Sequence, residues 1–212
     1  MRRITIVSYS PSGISRKIAE TLAGYFSAEY CVIDLTDPAV RQTNCFFSSE
    51  DLLIFAAPSY LGRLPVVEGG IFDRIYANDT PGIFLAIFGN RSYEDMLLEM
   101  AQIAEDRGVI GIGALALAIS GQAQADEIRR GELKKAWRLE VFANNMSQIL
   151  SGIEEDPAYY ERHSLTVNGN FPYKAHERTD ASQEPFFSQV RTPRRAKSAE
   201  YFYMKPDRRA YR

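Results

Sequence analysis

Cysteine, histidine and long apolar runs are all scarce in this chain of 212 residues. Two cysteines and two histidines are too few and too scattered for an iron-sulfur cluster or a convincing zinc site, so no metal site is predicted. Cys31 and Cys45 form no Cys-x-x-Cys pair and are expected to be reduced thiols. The chain has no apolar run long enough for a membrane span, and the apolar stretch after Met1 is too short for a signal peptide. A cytoplasmic protein with no membrane partner is therefore expected.

The charge is unevenly distributed along the chain. The net charge is -2, but residues 191–212 carry eight basic and two acidic side chains, so this segment alone is +6. Such a segment can hold an acidic partner, a nucleic acid or the acidic remainder of its own chain. A solvated tail, or packing on a neighbouring subunit, is favoured. Nucleic-acid binding would need the charges on one exposed face and an affinity that falls steeply with salt.

Apolar strands and amphipathic helices alternate along the first 150 residues. The near-continuous apolarity of the strands suits a parallel sheet that is covered on both faces. Short connections between the units predict an α/β fold, a doubly wound five-stranded parallel sheet with helices on both faces. Strands are predicted at 2–8, 32–35, 51–57, 82–88 and 109–118, and helices at 14–27, 93–107 and 123–150. The last helix is expected as one helix or two, because Gly131 stands where a break would fall.

The periodicity fades in residues 151–212, where five prolines stand among aromatic and charged residues. The segment is nevertheless too rich in aromatic anchors, such as Tyr201, Phe202 and Tyr203, for a disordered tail. We predict a main domain over residues 1–150 and an extended C-terminal arm over 151–212. The arm would pack on the body or on a second copy of the chain, in which case the protein is a homodimer.

The first predicted strand runs directly into a hydroxyl-rich turn and a helix. Ser8, Ser10, Ser12 and Ser15 supply hydroxyl groups, and Gly13 allows the backbone to approach a ligand closely. The N–H groups at the start of a helix, aided by the helix dipole, bind a dianion without a basic side chain. This pattern predicts a phosphate site. The alternative is a plain strand-to-helix turn in which Ser15 is the helix N-cap.

Two further loops leave the carboxyl ends of predicted strands, at 57–65 and 89–95. In a doubly wound fold such loops converge on the crevice where the strand order reverses, which is where ligands bind. Each loop carries an aromatic residue, Tyr60 or Tyr93, that could stack on a flat conjugated ring. Together with the phosphate loop, this predicts a phosphorylated flavin. The alternative is that each tyrosine packs on the end of its own strand.

On these three loops the chain resembles the flavodoxin family. It is more closely similar to the flavodoxin half of bacterial and archaeal proteins that carry a ferredoxin half behind it. The matching runs are Tyr9 to Gly13, Pro58 to Pro65 and Phe88 to Asp95, with a fainter echo at 168–174. The resemblance implies FMN as cofactor, and the residues that it places around FMN are Ser10, Ser12, Gly13, Ile14 and Ser15 at the phosphate, Ser59, Tyr60, Leu61 and Gly62 on one side of the ring, and Gly89, Asn90, Arg91 and Tyr93 on the other.

The chain departs from these relatives in three places. Ile14 stands where a polar residue is usual, and one lost hydrogen bond to a charged group costs about 1.5–3 kcal/mol, so FMN binding should weaken without vanishing. Residues 118–122 differ from the Ala-Glu-His-Ser-like stretch of the relatives. No cysteine follows Cys45, so the ferredoxin cluster is missing. An electron would therefore leave the flavin for a separate redox partner protein, a donor or an acceptor.

The resemblance implies electron transport or the reduction of a small acceptor, with the flavin doing the redox chemistry. An FMN-dependent oxidoreductase that uses NAD(P)H or a quinone shares the fold, although no residue here selects for it. The alternative from another class is a binding or assembly module that has lost the flavin and works through its C-terminal arm. No pairing of a nucleophile with a base points to hydrolysis, so no catalytic residue is predicted. Arg63 is expected to pair with Glu94 or Asp95 across the mouth of the crevice.

Overall fold

The predicted alternation of strands and helices is present in a computed structural model of the protein, which describes residues 2–89, 92–119, 121–131, 136–156, 158–159, 163–173 and 199–206. The strands are β1 (Arg3–Ser8), β2 (Cys31–Asp34), β3 (Cys45–Phe46), β4 (Asp51–Pro58), β5 (Ile75–Tyr76), β6 (Thr80–Phe88), β7 (Val109–Ala118), β8 (His163–Leu165) and β9 (Ala199–Pro206). The helices are α1 (Ile14–Phe26), α2 (Pro38–Arg41), α3 (Met96–Glu105), α4 (Gly121–Arg129) and α5 (Ala136–Glu155).

The main sheet has seven strands in the order β2-β1-β4-β6-β7-β9-β8. The first five pair in parallel, with Ser8 at the end of β1 opposite both Asp34 and Ala56. Their order reverses between β1 and β4, as in flavodoxin-like doubly wound sheets. The predicted flavodoxin-like fold is therefore confirmed, and the reversal brings the ends of β1 and β4 together at the carboxyl edge of the sheet.

Both faces of the sheet are covered, because successive side chains of each strand point to opposite sides. Ile4 and Ile6 of β1 pack in one apolar cluster with residues of α1, α4 and α5. Val7, the residue after Ile6, points to the other side and packs in a second cluster with residues of α3 and of the loop before β5. Of the two alternatives for the last predicted helix, the structure has two helices, since α4 ends at Arg129, α5 begins at Ala136, and Gly131 has a φ of 82°.

The C-terminal region contributes strands that the sequence pattern does not predict. Strand β9 pairs antiparallel with β7, with Gly113 opposite Tyr203 and Leu117 opposite Ala199, and β8 pairs with the far side of β9. A separate two-stranded sheet, β3 with β5, is also missing from the prediction because each strand has only two residues. The basic residues of 191–198 and 207–212 lie outside the described residues. Within the described ranges, no helix has the length and apolarity needed to cross a membrane.

Asp51, at the start of β4, ties β1 to the turn before β4. Its carboxylate accepts hydrogen bonds from Arg3 Nε at 2.8 Å and from the Ser48 N–H at 2.8 Å. Burial raises the pKa of Asp51, but the hydrogen bonds from Ser48 and Arg3 outweigh burial, and the pKa lies below its usual value. The ionised form is therefore the one that stabilises the fold.

We expect Asp51→Asn to lower the free energy of unfolding by about 2 kcal/mol at pH 7, because the charge-assisted hydrogen bonds are lost. Since the folded-state pKa of Asp51 is the lower one, this stabilisation is present above the unfolded pKa, about 3.9, and is lost as the pH falls through the folded pKa. Urea unfolding between pH 3 and pH 7 should therefore show a difference in the free energy of unfolding between wild type and variant, and this difference should become smaller as the pH falls. Glu154→Gln is the control, because the Glu154 side chain is 56% exposed and lies 3.8 Å from Arg2, and the free energy of unfolding should change little. A difference in the free energy of unfolding that does not vary with pH would contradict the stabilising role of the ionised Asp51 carboxylate.

Candidate cofactor-binding site

The loop between β1 and α1 turns sharply at Gly13. Gly13 has a φ of 77° and is the N-cap of α1, and its N–H donates to the Ser10 carbonyl at 2.9 Å. Helix α1 begins at Ile14, so Ser15 is the second residue of the helix and lies buried there. Ser15 is therefore not the N-cap that the alternative prediction, a plain strand-to-helix turn, assigns to it. A left-handed glycine fills that position, since it turns the backbone without steric cost.

Ser10 holds this loop to its surroundings through both its main chain and its side chain. Its N–H donates to Thr36 Oγ1 at 2.9 Å, and its Oγ accepts from the Arg16 N–H at 3.1 Å. Thr36 lies two residues after the end of β2, so the loops after the two neighbouring strands are joined. Sequence reasoning missed Thr36, although a hydroxyl residue immediately after a predicted strand was a usable signal.

The outer side of the loop is open to a ligand. A Cβ built on Gly13 would have no atom within 4 Å. Within the part of the chain that the structure describes, the N–H groups of Ile14 and Ser15 have no main-chain acceptor, as is usual in the first turn of a helix. The side chain of Ile14 is buried in the core, so only its N–H can meet a ligand. The Ser12 hydroxyl is held only by a long contact of 3.5 Å from the Ile14 N–H. Backbone N–H groups at the start of a helix, beside open space, suit an anion.

Two buried serine hydroxyls at the ends of adjacent strands have no hydrogen-bond partner among the described residues. Ser8 ends β1 and is fully buried, while Ser59 follows β4 directly. The Oγ atoms of both residues are buried and unpartnered. Buried polar groups are nearly always satisfied, so two orphans at the ends of adjacent strands fit a polar group supplied from outside the chain.

The residues after β4 form a tight turn. The main chains of Tyr60 and Arg63 exchange hydrogen bonds of 2.9 and 3.1 Å across it. Leu61 and Gly62 have φ values of 53° and 83°, which suit a type I′ turn and are unusual for a leucine. The Gly62 carbonyl accepts from the Asp95 N–H at 3.0 Å. The tip of the turn, which contains the predicted ring contacts Leu61 and Gly62, is thus fixed against the loop after β6.

Tyr60 and Tyr9 form the aromatic wall of the crevice. Both rings are half-buried, and burial raises the pKa of Tyr60, with a smaller contribution from the nearby Tyr9. Burial likewise raises the pKa of Tyr9, whose ring lies 6.0 Å from the guanidinium of Arg41. Tyr9 belongs to the predicted phosphate motif, but its place beside Tyr60 was not foreseen, because the two residues meet only where β1 and β4 end side by side.

Tyr93 occupies a different environment from Tyr60. It is 6% exposed and packs on Phe88, with the ring centroids 5.7 Å apart. The ring is therefore part of the core beneath the loop, as the alternative interpretation of this tyrosine expects. Gly89 leaves open space on its Cβ side. The predicted contacts Asn90 and Arg91 lie outside the described residues.

No protein-family model matches this chain, and no curated protein is detectably similar to it. Solved structures do match. A flavodoxin from the domain Archaea is 12% identical, with a TM-score of 0.43, over 66% of this chain and 99% of its own. Two-electron reduced Megasphaera elsdenii flavodoxin is 17% identical, with a TM-score of 0.35, over 61% and 96%. RosB with bound 8-demethyl-8-formylriboflavin-5′-phosphate is 14% identical, with a TM-score of 0.43, over 91% and 100%. At such identities the fold and the site rest on the strand order and loop geometry of this chain.

Arg63 binds a residue of α3 rather than the next loop. Its Nε and Nη2 donate to the two carboxylate oxygens of Glu99 at 2.8 and 2.7 Å. The expected pairing with Glu94 or Asp95 is therefore wrong. The carboxylate of Glu99, one turn further along the chain, binds the guanidinium in bidentate geometry instead. The Cζ atom of the same guanidinium lies over the ring of Tyr173, 4.0 Å from the ring centroid.

Residues 168–173, where the sequence echoes the relatives faintly, pack against this same region. The N–H and Nδ2 of Asn170 both donate to Asp95 Oδ1 at 2.7 Å. Tyr173 hydrogen-bonds to Gln102 of α3 through its hydroxyl. The loops on the ring side of the crevice are thus held by a segment about 75 residues further along the chain.

Proposed function

We propose that the protein binds FMN at the carboxyl edge of the sheet and acts in electron transfer or in the reduction of a small acceptor. The observation that carries this proposal is the open loop after β1, with left-handed Gly13 and with N–H groups at Ile14 and Ser15 that have no main-chain acceptor among the described residues. Such a loop favours a phosphate dianion. The unpartnered hydroxyls of Ser8 and Ser59 support a polar ligand in the same crevice.

In this proposal each group of residues has its own task. The main chain of Gly13 to Ser15 and the Ser12 hydroxyl would hold the phosphate, and Tyr60 would lie against the ring. Because the pKa of Tyr60 is raised by burial, its hydroxyl stays protonated at neutral pH and can donate a hydrogen bond. The fixed turn at Leu61 and Gly62 limits the access of water to that side. A bound flavin would supply the capacity to take up and release electrons.

The electrons would be exchanged with a separate partner. Residues 46–212 contain no cysteine, so they cannot hold an iron-sulfur cluster like that of the two-part proteins that the three loops resemble. A redox protein or a small diffusible acceptor therefore completes the proposed reaction. NAD(P)H or a quinone remains within the same proposal as the small-molecule partner.

The visible spectrum of freshly purified protein, followed by a titration of the apoprotein with FMN, tests the proposal. We expect a yellow protein, or stoichiometric quenching of flavin fluorescence with a Kd on the order of 1 µM or tighter. Bleaching of the colour by NAD(P)H alone would add a reductase activity. A colourless protein that does not quench FMN would reject flavin binding and favour the assembly module that works through its C-terminal arm.

A further inference from the structure

The basic residues at the start of α1 are already neutralised by carboxylates. Arg16 lies 2.9 Å from Glu20 and 3.4 Å from Asp34, and Lys17 lies 3.6 Å from Glu20. The loop from Ser10 to Ser15 contains no basic residue. A phosphate bound there would thus depend on the backbone, unless a cation reaches it from another part of the chain.

Arg129, the last residue of α4, does reach the loop. Its Nε donates to the Ser12 carbonyl at 3.3 Å, and its Nη1 donates to Asp126 at 2.7 Å. Asp126 in turn accepts from Gln122 at 2.9 Å, so the carboxylate that orients the guanidinium is itself held. Helix α4 is anchored by Ala125 and Ile128, which lie in the core. The guanidinium is therefore fixed at the rim of the loop by two contacts.

One nitrogen of this guanidinium is unengaged within the part of the chain that the structure describes. A guanidinium has five N–H donors in a planar fork, and the two contacts of Arg129 with described residues involve Nε and Nη1 and leave Nη2. The side chain is 38% exposed, so a ligand can approach it. Ser12 stands next to Gly13, whose outer side is open. The fork thus lies beside the space that a phosphate would occupy.

Resting on the proposed FMN site, we propose that Arg129 donates a hydrogen bond to the flavin phosphate and selects phosphorylated flavin over riboflavin. It takes the place of the side-chain donor that is absent at Ile14, whose side chain lies in the core. A planar cation beside backbone N–H groups is suited to a phosphate, and charge-assisted hydrogen bonds of this kind are about twice as strong as neutral ones.

The test compares FMN with riboflavin, which lacks the phosphate, on the wild-type protein, on Arg129→Gln and on Arg107→Gln. Arg107 is the matched control, because it is a partly exposed arginine that pairs with Asp73 and stacks on Tyr76 near the opposite edge of the sheet. We expect Arg129→Gln to weaken FMN binding by about 10-fold or more, with riboflavin binding unchanged. Arg107→Gln should leave both affinities unchanged.

Equal losses of affinity for FMN and riboflavin in Arg129→Gln would overturn the proposal, since Arg129 would then only shape the loop. Unchanged FMN affinity would overturn it too.

Inorganic phosphate separates a failure of this inference from a failure of the proposed function. If the wild-type apoprotein binds neither flavin, flavin binding is rejected, and the melting temperature with and without phosphate then tests Arg129 alone. A rise with phosphate in the wild type that Arg129→Gln abolishes supports an anion site at Arg129. An equal rise in both proteins, or no rise in the wild type, rejects it.

Discussion

Replacing Gly108 with alanine is expected to destabilise the protein by about 3 kcal/mol or more, because the change is unfavourable in two independent ways. Gly108 has a φ of 83°, and a left-handed conformation costs a residue with a Cβ about 1–2 kcal/mol. A Cβ at this position would also lie 2.2 Å from the carbonyl oxygen of Ala77. That oxygen belongs to the backbone just before β6, so it cannot move aside as a flexible side chain would.

Urea unfolding of Gly108→Ala measures this effect, and Gly24→Ala is the matched control. Gly24 lies exposed inside α1, and a Cβ there has no atom within 4 Å. The same substitution should therefore stabilise the protein by about 0.5–1 kcal/mol, because alanine favours a helix interior more than glycine does. Opposite signs for the two variants are the expected result. A loss below 1 kcal/mol at Gly108 would show that the turn relaxes more easily than its geometry implies.

The role of Gly108 illustrates what local sequence can predict. The helix predicted over 93–107 ends just before Gly108, a residue typical of helix ends, and the Gly108 N–H donates to the Glu105 carbonyl at 2.9 Å in the turn that closes α3. The five parallel strands were predictable for the same reason, since each is a continuous apolar run bounded by turn residues. Their order follows from the connections. The clash with Ala77 was not predictable, because it depends on how the loop before β6 folds back over the end of α3.

The C-terminal strands show the limit of such reasoning. The run 199–206 contains three consecutive aromatic residues, which were recognised as apolar anchors. It does not alternate between apolar and polar residues as an antiparallel strand with one solvated face usually does, and its partner residues in β7 precede it by 82 to 90 positions along the chain. A strand that is completed only by a distant partner leaves a weak local signal.

Local sequence likewise predicts one part of the candidate site and not the other. The loop after β1 was predictable from its serines and Gly13, since one short stretch carries both the geometry and the donors. The residues that support the loop come from elsewhere, Thr36 from the end of β2 and Arg129 from α4. Arg129 stands 117 residues from the Ser12 carbonyl that it contacts. No spacing rule connects two such positions, so only the fold could bring them together.

Asp95→Ala is expected to lower the free energy of unfolding by about 3 kcal/mol, because a fully buried carboxylate accepts two hydrogen bonds there. Both bonds come from Asn170, so the loss should be accompanied by faster hydrogen exchange in residues 168–173. Asn170→Ala removes only the side-chain donor and should cost about half as much. In the double variant the two losses should fall well short of adding, since the residues share one interaction. Asn168→Ala, at an exposed position in the same segment, serves as the control.

Hydrogen exchange shows whether the contact between Asp95 and Asn170 also stabilises the turn at 60–63 beside the crevice. The Asp95 N–H also holds the Gly62 carbonyl of the ring-side turn, and that main-chain bond survives the substitution. One outcome is that hydrogen exchange rises in residues 168–173 while the turn at 60–63 stays protected. In that case Asp95 holds the segment, and Glu99 fixes the turn independently through Arg63. If both regions loosen together, the segment and the turn form one cooperative unit, and flavin affinity should fall with the stability of the C-terminal segment. Additive losses in the double variant would contradict both versions, because Asp95 and Asn170 would then act separately.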